Sequence, residues 1–146
     1  MEDEVLQAKK KAMNLLLHND RTERELRDRL KRAGFSEAAE EEAISYVMSF
    51  HYIDDARYAR RYVEIYQNRK SKKQLVMDMK KRGVGDREIQ QALEEEWQGD
   101  SEALQAALKK KTQDVSKLKY EEKQKIAASL CRKGFSVADI QKALEM

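Results

Sequence analysis

The sequence predicts an all-α protein made of three tandem three-helix repeats, each resembling a helix-turn-helix and together forming an elongated, curved array. The 146 residues contain no proline, so no residue of this type interrupts a helix. Charged residues make up 39% of the chain and aromatic residues only 7%, which leaves few of the runs that form sheets. Gly34, Gly83 and Gly134 lie 49 and 51 residues apart and indicate an internal repeat.

Hydrophobic residues recur at fixed distances from the three glycines. Eight residues before, four before and ten after each glycine stand, respectively, Leu26, Leu75 and Ile126; Leu30, Met79 and Leu130; and Ile44, Leu93 and Leu144. Spacings of four place these residues on one face of a helix. Each glycine follows a basic last turn and precedes a hydrophobe, which is typical of a left-handed helix terminus. Each repeat is therefore predicted to contain a helix, a tight turn and a second helix.

The pattern predicts nine helices, three in each repeat. The predicted ranges are 4–18, 21–33 and 36–50; 54–69, 71–82 and 86–98; and 101–113, 120–133 and 136–145. Thr22 with Glu25 and Ser71 with Gln74 have the spacing of a capping box. The third repeat lacks this pattern, because Glu122 occupies the matching position.

The predicted repeats span residues 1–52, 53–99 and 100–146. The segments between them are short and not rich in proline, which favours semi-rigid packing of each repeat on its neighbours. In the first of these segments, Asp54 and Asp55 are expected to cap the next helix rather than to form a paired-carboxylate site. One position departs from the pattern: Glu40 stands where Ile89 and Ile140 stand in the later repeats.

Charge is distributed unevenly around a net value of only +3. Residues 36–55 carry six acids and no lysine or arginine, and residues 86–102 carry seven acids against one arginine. Between them, residues 57–82 carry ten lysines and arginines against two acids. Such a pattern favours a partner of alternating charge, or nucleic acid contacted by selected helices. Solvated, highly charged helices with pairs four residues apart are the alternative.

The helix that begins at Asp54 has an aromatic and a basic face. Tyr58, Tyr62 and Tyr66 recur every four residues with Ile65 beside them, and we expect this stripe to be core rather than a base-stacking surface. The opposite arc begins a basic track that could neutralise several phosphates or bind an acidic protein groove. This track comprises Arg57, Arg60, Arg61, Arg69, Lys70, Lys72, Lys73, Lys80, Lys81 and Arg82.

No residue pattern nominates a catalytic, cofactor or metal site. The five glycines form neither a phosphate-binding loop nor a dinucleotide fingerprint. His18 and His51 are far apart, and the single cysteine, Cys131, is predicted to be a buried hydrophobe in a reducing compartment. The N-terminal residues do not have the charged-then-apolar pattern of a signal sequence, so none is expected, and the sequence contains no apolar run of about 18 residues. We expect a soluble, cytoplasmic protein without enzyme activity, cofactor, metal or membrane contact.

Two motifs in order resemble the RecX family. The first is Thr-x-x-Glu-Leu followed by Leu-x-x-x-Gly-Phe, within residues 22–35, and the second is Tyr-Ile-Asp-Asp-Ala-Arg-Tyr-Ala at 52–59. A further unit runs from Leu75 to Val84, and the resemblance covers nearly the whole chain, including the third repeat. The resemblance is weaker at residues 67–73, where this chain has Gln-Asn-Arg-Lys-Ser-Lys-Lys. The segment that precedes the second unit is commonly glycine-rich in the family.

The resemblance implies a regulator of RecA, built from tandem three-helix repeats, that lies in the groove of the RecA filament on single-stranded DNA. Such a protein would mainly inhibit the recombination, ATPase and coprotease activities of RecA, and so act in DNA repair and the SOS response. We expect the basic track to supply most of the electrostatic attachment of a monomer. The first and third repeats would act as arms that bridge successive RecA subunits.

Two other functions remain open at this point. A direct DNA-binding protein could use one helix-turn-helix unit to read a duplex groove, although the second helices begin with acids such as Glu37 and Asp86. A general helical scaffold for another protein partner is the second alternative. It would bind without DNA and with little dependence on salt.

Overall fold

The structure is a computed structural model that describes residues 2–146; Met1, the first residue of the first predicted repeat, lies outside this range. Within 2–146 the chain forms nine α-helices and no strand, which confirms the predicted fold class. The helices are α1 (Glu2–His18), α2 (Glu23–Arg32), α3 (Glu37–Ser49), α4 (Asp55–Tyr66), α5 (Lys72–Lys81), α6 (Asp86–Glu96), α7 (Ser101–Lys109), α8 (Tyr120–Arg132) and α9 (Val137–Ala143).

The largest difference from the predicted ranges lies after α7, which ends four residues before the predicted end at 113. A short 3-10 helix follows at Val115–Lys117. The Asp114 carboxylate accepts a hydrogen bond from the Ser116 backbone N–H, 3.0 Å away. A side chain of this type offers the backbone an alternative to helical hydrogen bonds, and here it caps the start of the 3-10 helix.

Three hydrophobic clusters lie along the chain, one for each set of three consecutive helices. The first contains Ala8, Ala12, Leu15, Leu26, Leu30, Ala39, Ala43, Ile44, Val47 and Ile53. The second contains Ala59, Tyr62, Val63, Leu75, Met79, Val84, Ile89, Ala92 and Leu93. The third contains Ala103, Leu104, Ala107, Leu108, Leu130, Phe135, Ile140 and Leu144. The residues spaced from the glycines therefore occupy these cores, with Ile126 packed at the edge of the third.

The three glycines end the second helix of each repeat in the left-handed conformation, as the sequence predicts. Their φ angles are +92° at Gly34, +89° at Gly83 and +100° at Gly134. The next residue then donates its N–H to a carbonyl five positions earlier, as Val84 does to Met79 at 3.0 Å. Glycine adopts this conformation without steric cost and satisfies the last carbonyls of the helix.

The helix starts agree only in part with the predicted capping boxes. Both halves of the box are present at Thr22 and Glu25. Ser71 accepts the Gln74 N–H at 3.1 Å, but the Gln74 side chain donates to Asp78 instead of returning to Ser71. The second capping box was therefore wrong in its reciprocal half.

Several other residues lie in environments that the sequence did not predict. Cys131 is exposed, which contradicts its prediction as a buried hydrophobe. Ile65 is 56% exposed and therefore is not part of the core, although it was predicted to belong to the tyrosine stripe. Glu40 is only 2% exposed, and its Oε1 lies 3.5 Å from the Arg27 guanidinium. Within the described residues, none of the helices combines the length and apolar character that a bilayer crossing requires.

Candidate nucleic-acid and partner interface

The first and second repeats are connected through the start of α2. The buried Thr22 hydroxyl donates a 2.6 Å hydrogen bond to the carbonyl of Arg82, beside the glycine that ends α5. The Glu23 N–H donates to the Asp55 carboxylate, 3.0 Å away, at the start of α4. We call this connection the first joint. The same hydroxyl also caps the N-terminal end of α2, so the start of this helix and the packing of the repeats depend on one oxygen atom.

The second and third repeats are connected in the same way. The buried Ser71 hydroxyl donates to the carbonyl of Lys133 at 2.6 Å, again beside a glycine. The Lys72 N–H donates to the Asp100 carboxylate at 2.8 Å. We call this connection the second joint. Asp55 and Asp100 therefore occupy equivalent positions in the two joints. This equivalence aligns the residues of α4 with those of α7.

Each joint borders a crevice between two repeats. The first crevice has a volume of about 720 Å³ and is lined by Asn19, Asp20, Arg21, Glu25, Tyr58, Arg61, Tyr62, Glu64, Ile65, Tyr66 and Arg82. The second has a volume of about 420 Å³ and is lined by Arg69, Lys70, Ser71, Gln74, Ala106, Ala107, Lys110, Lys133 and Phe135. Because the joints share one geometry, the two crevices can be compared position by position.

The two crevices differ in charge. Equivalent positions hold, in the first and second crevice respectively, Asp20 and Arg69, Glu25 and Gln74, Arg61 and Ala106, Tyr62 and Ala107, Ile65 and Lys110, and Arg82 and Lys133. The lining of the first crevice has three acids against three arginines, and its Arg61 forms an ion pair with Asp20. Four cations line the second, and none of its lining residues is acidic. The second crevice therefore favours anions.

A hydrogen-bonded cluster inside the second repeat includes two members of the basic track. Lys70 donates to the Asp78 carboxylate at 2.7 Å and to the Tyr62 hydroxyl at 3.0 Å. Tyr62 donates to Asp78 at 2.7 Å, and Arg82 donates to the Tyr62 oxygen at 3.1 Å. Gln74 donates to the second Asp78 oxygen, also at 2.7 Å. Lys70 and Arg82 therefore bind α5 to α4 rather than presenting free charges.

Burial and hydrogen bonding both shift the pKa values of this cluster. Burial opposes the charge of Asp78, but hydrogen bonds from Lys70, Tyr62 and Gln74 leave its pKa below the ordinary value. Burial likewise opposes the charge of Lys70, and its bonds to Asp78 and Tyr62 raise its pKa. Burial raises the pKa of Tyr62, and that of its neighbour Tyr58 to about 12. At neutral pH the cluster therefore holds a charged lysine and a charged aspartate beside neutral tyrosines.

Other members of the track are also engaged within the protein. Arg60 lies 3.8 Å from Glu95, and Lys80 lies 3.5 Å from Asp86. The ammonium group of Lys72 lies 4.6 Å from the centre of the Trp97 ring, a cation–π distance. Arg57 is half-buried at the start of α4. The ion pairs at exposed positions are weak, and a partner of higher charge density would compete for these cations.

Three members of the track are exposed and form no ion pair within residues 2–146. They are Arg69 in the turn between α4 and α5, and Lys73 and Lys81 on α5. The only contact of this group with an aromatic ring in the described residues is that of the Arg69 guanidinium, whose carbon lies 5.8 Å from the centre of the Tyr66 ring. The structure therefore divides the ten predicted residues into an internal part, a paired part and a free part. The sequence could not make this division, because the partners Asp20, Glu95 and Asp78 come from three different segments.

The structure also brings together residues that the sequence analysis did not select. Lys110 and Lys133 join Arg69 in the second crevice although they belong to the third repeat. Lys110 is equivalent to Ile65 and Lys133 to Arg82 of the first crevice. These equivalences can be recognised only once the hydrogen bonds of the joints have aligned the repeats. Within residues 2–146, no group of three histidine, cysteine or acidic side chains is placed to hold a metal ion.

An exposed aromatic cluster lies at the end of the first repeat. The ring centres of Tyr46 and Phe50 are 5.1 Å apart, and those of Phe50 and Tyr52 are 5.5 Å apart. The ammonium group of Lys9 lies 4.8 Å from the centre of the Tyr46 ring. His51 has a φ of +58° and makes the tight turn between the two stacked rings. The four-residue interval between Tyr46 and Phe50 was the available sequence signal.

Comparison with family models assigns each repeat separately. Residues 8–46 match the model described as RecX, first three-helix domain. Residues 54–93 match the second three-helix domain of RecX, and residues 99–144 match the third. The matched segments follow the order of the three hydrophobic clusters.

Curated relatives and solved structures give the same family. A protein of Caldanaerobacter subterraneus named Regulatory protein RecX is 34% identical, over 98% of this chain and 72% of the relative. A protein of the same name from Vibrio parahaemolyticus is 30% identical, over 96% of this chain and 91% of the relative. A RecX from Bacillus licheniformis is 32% identical, with 98% of this chain covering 56% of it. The crystal structure of RecX from Lactobacillus salivarius has a TM-score of 0.80 at 26% identity, over 99% of both chains.

Proposed function

The chain belongs to the RecX family of regulatory proteins, and from this premise we propose that it binds the RecA filament on single-stranded DNA. There it would mainly inhibit the recombination, ATPase and coprotease activities of RecA, and thereby moderate DNA repair and the SOS response. We expect a cytoplasmic monomer that needs no cofactor. The curated relatives are named as regulators, which agrees with a function exerted through another protein.

One observation supports this proposal most directly: the middle repeat presents unpaired cations between two repeats that are joined to it. Arg69, Lys73 and Lys81 are exposed within this repeat. The first and second joints connect it to its neighbours through buried hydroxyl groups. A filament of protein and DNA offers both acidic and phosphate groups along its groove, and a jointed array can contact several of them at once. The gain in affinity then comes from multivalency rather than from one strong contact.

The paired arginines would contribute less at first contact than the sequence suggests. Arg60 and Arg61 already interact with Glu95 and Asp20. Displacing such surface pairs costs little, since their net energy is about 0–1 kcal/mol. They would therefore support binding once the partner is in place, while the free cations attract it. The exposed aromatic cluster of the first repeat, centred on Phe50, has the composition of a protein-contact hot spot and is suited to be one of the arms.

The experiment is a titration of RecA ATP hydrolysis on single-stranded DNA, with this protein added below the concentration of RecA. We expect inhibition at substoichiometric ratios, together with weak binding to DNA alone at the same salt concentration. No inhibition, with tight and salt-sensitive binding to bare DNA, would favour the direct DNA-binding alternative. Binding to RecA without DNA and without salt dependence would favour a general scaffold.

A charge-reversed variant tests the assignment of the free cations. R69E/K73E/K81E should weaken inhibition strongly and reduce its dependence on salt. The matched control is K11E/K125E/K142E, which makes the same change in charge at exposed residues outside both crevices. Equal effects of the two variants would show that only net charge matters and would contradict the assignment.

A further inference from the structure

We propose that the second crevice binds successive phosphate groups of single-stranded nucleic acid, with an attached sugar on its apolar floor. This inference rests on the proposed function, which brings the protein to a filament that contains such a strand. It goes further by naming the part of the protein that touches nucleic acid rather than protein. Two of the residues involved, Lys110 and Lys133, belong to the third repeat, outside the basic track.

Three unpaired cations from separate elements converge on this crevice. Arg69 lies in the turn after α4, Lys110 directly follows α7, and Lys133 directly follows α8. All three are exposed, and none forms an ion pair within the described residues. Each lies at or just after the C-terminal end of its helix, where the helix dipole stabilises a cation. The fourth cation, Lys70, is bound to Asp78 and contributes only part of its charge.

The crevice has room for more than an ion. Ala106 and Ala107 stand where the first crevice has Arg61 and Tyr62, so this part of its wall is apolar and uncharged. Its volume of about 420 Å³ lies within the range of about 300–1,000 Å³ that is usual for ligand sites. Phe135, only 4% exposed, contributes apolar surface at the base. An apolar floor below a ring of cations suits a sugar joined to a phosphate.

The first crevice provides an internal comparison. It has the same joint and is lined by three acids and three arginines, so its charges balance. The Arg61–Asp20 ion pair lies within it. An anion would gain little there, because the three acids of the lining offset the attraction of its three arginines. The anion preference of the second crevice therefore follows from its side chains and not from the architecture of the joint.

The charge and geometry favour a phosphate over a protein carboxylate. The guanidinium of Arg69 has the planar donor pair that binds phosphate oxygens in a bidentate manner. Three unpaired cations around one opening exceed the single charge of one carboxylate, whereas a nucleic-acid strand presents successive phosphates. Neutralising these phosphates would release counterions. The slope of log K against log salt should therefore be proportional to the number of phosphates that the protein contacts.

The test is binding of a fluorescein-labelled oligothymidylate to the full chain over a series of salt concentrations. The variant R69Q/K110Q/K133Q removes the three cations and keeps the backbone carbonyl of Lys133 that accepts the Ser71 hydrogen bond. For single strands, log K falls with log salt by about 0.7 for each phosphate contact, so the slope should decrease by about 2. We expect affinity at low salt to fall at least about tenfold.

The control K11Q/K125Q/K142Q makes the same change in charge outside both crevices and should retain the wild-type slope. If both variants lose affinity and slope equally, the crevice is not a site. Competition with polyglutamate is the second measurement: equal displacement at equal charge concentration would identify an acidic protein segment as the occupant and overturn the proposal. The single variant K110I, which introduces the residue of the first crevice, guards against loss of folding in the triple variant and should itself reduce the slope.

Failure of this inference and failure of the proposed function are distinguishable. If wild-type protein inhibits RecA but the crevice variant binds oligothymidylate like the control, the filament function stands and the crevice assignment is wrong. If wild-type protein has no effect on RecA but the crevice variant alone loses oligothymidylate binding, the crevice is a nucleic-acid site and the RecA function is wrong.

Discussion

The two joints use the same hydrogen bonds, yet the crevices beside them differ in chemistry. In each joint a buried hydroxyl donates to the carbonyl before a glycine, and a backbone N–H donates to an aspartate of the next repeat. The first crevice balances its charges and contains Tyr62, whereas the second carries only cations and has Ala107 at that position. Repeat packing therefore depends on a few backbone-directed contacts. The remaining positions are free to determine what binds.

The glycines provide the largest test of this comparison. Gly83 lies in the first joint, and a Cβ there would approach the Arg24 side chain too closely. Gly34 has nearly the same φ but nothing within 4 Å of such a Cβ. Gly34→Ala should lose about 1–2 kcal/mol through conformation alone. Gly83→Ala should lose a further ~1–3 kcal/mol from overpacking. Urea unfolding of both variants measures the difference, and equal losses would show that the joint tolerates the added methyl group.

The Asp78 carboxylate connects the two crevices, since its partner Tyr62 lines the first and its partner Lys70 lines the second. Asp78→Asn should cost about 1–3 kcal/mol, because partly buried partners lose a charged acceptor. The exposed Asp28 forms no ion pair in the described chain, and Asp28→Asn is the matched control. A similar loss in both variants would contradict a structural role for the cluster.

The pH dependence of that loss has a definite sign. The pKa of Asp78 is lower in the folded protein than its ordinary value, mainly because hydrogen bonds from Lys70 and Tyr62 outweigh burial. Its contribution to stability is therefore present above the ordinary aspartate value of about 4 and is lost as the pH falls through the lower, folded pKa. The difference in unfolding free energy between wild type and Asp78→Asn should have its full value at pH 7 and should fall towards zero in strong acid.

The sequence was sufficient for the parts of the fold that depend on local signals. Glycine spacing and apolar periodicity gave the nine helices and their turns, since each turn requires a left-handed residue at a fixed place. The alignment of one repeat against the next could not be predicted from these local signals. The function of Thr22 as a joint depends on the carbonyl of Arg82, 60 residues away, and no local pattern encodes that pairing.

The candidate site was predicted less well for the same reason. The basic track was a list of residue types, and the assignment of partner binding to these ten residues stays a prediction. Lys70 was indistinguishable in sequence from Lys73, but tertiary contacts hold Lys70 partly buried beside Asp78 and leave Lys73 exposed. Lys110 and Lys133 lie in a repeat of lower charge density and enter the second crevice only through the joint.

The joint hydroxyl can be separated from its capping role by a comparison of two serines. Ser36 caps α3 through the Ala39 N–H, and its hydroxyl makes no contact with another repeat in the described structure. Ser71 caps α5 and also donates to Lys133. Ser36→Ala should cost about 0.5–2 kcal/mol, the usual range for a cap. Ser71→Ala should cost about 0.5–1.5 kcal/mol more. Thermal unfolding that finds equal losses would show that the joint hydrogen bond adds no stability.

The smallest expected effects distinguish the crevices by charge. Arg61→Gln breaks the ion pair with Asp20 in the first crevice and should cost about 0–1 kcal/mol, the range of exposed pairs. Lys133→Gln in the second crevice removes one of several like charges and should leave stability within about 0.5 kcal/mol, or raise it slightly at low salt. Denaturant unfolding at two salt concentrations measures both variants. A clear loss for Lys133→Gln would mean that its cation stabilises the fold, whereas an unchanged or raised stability fits cations held apart for an anionic ligand.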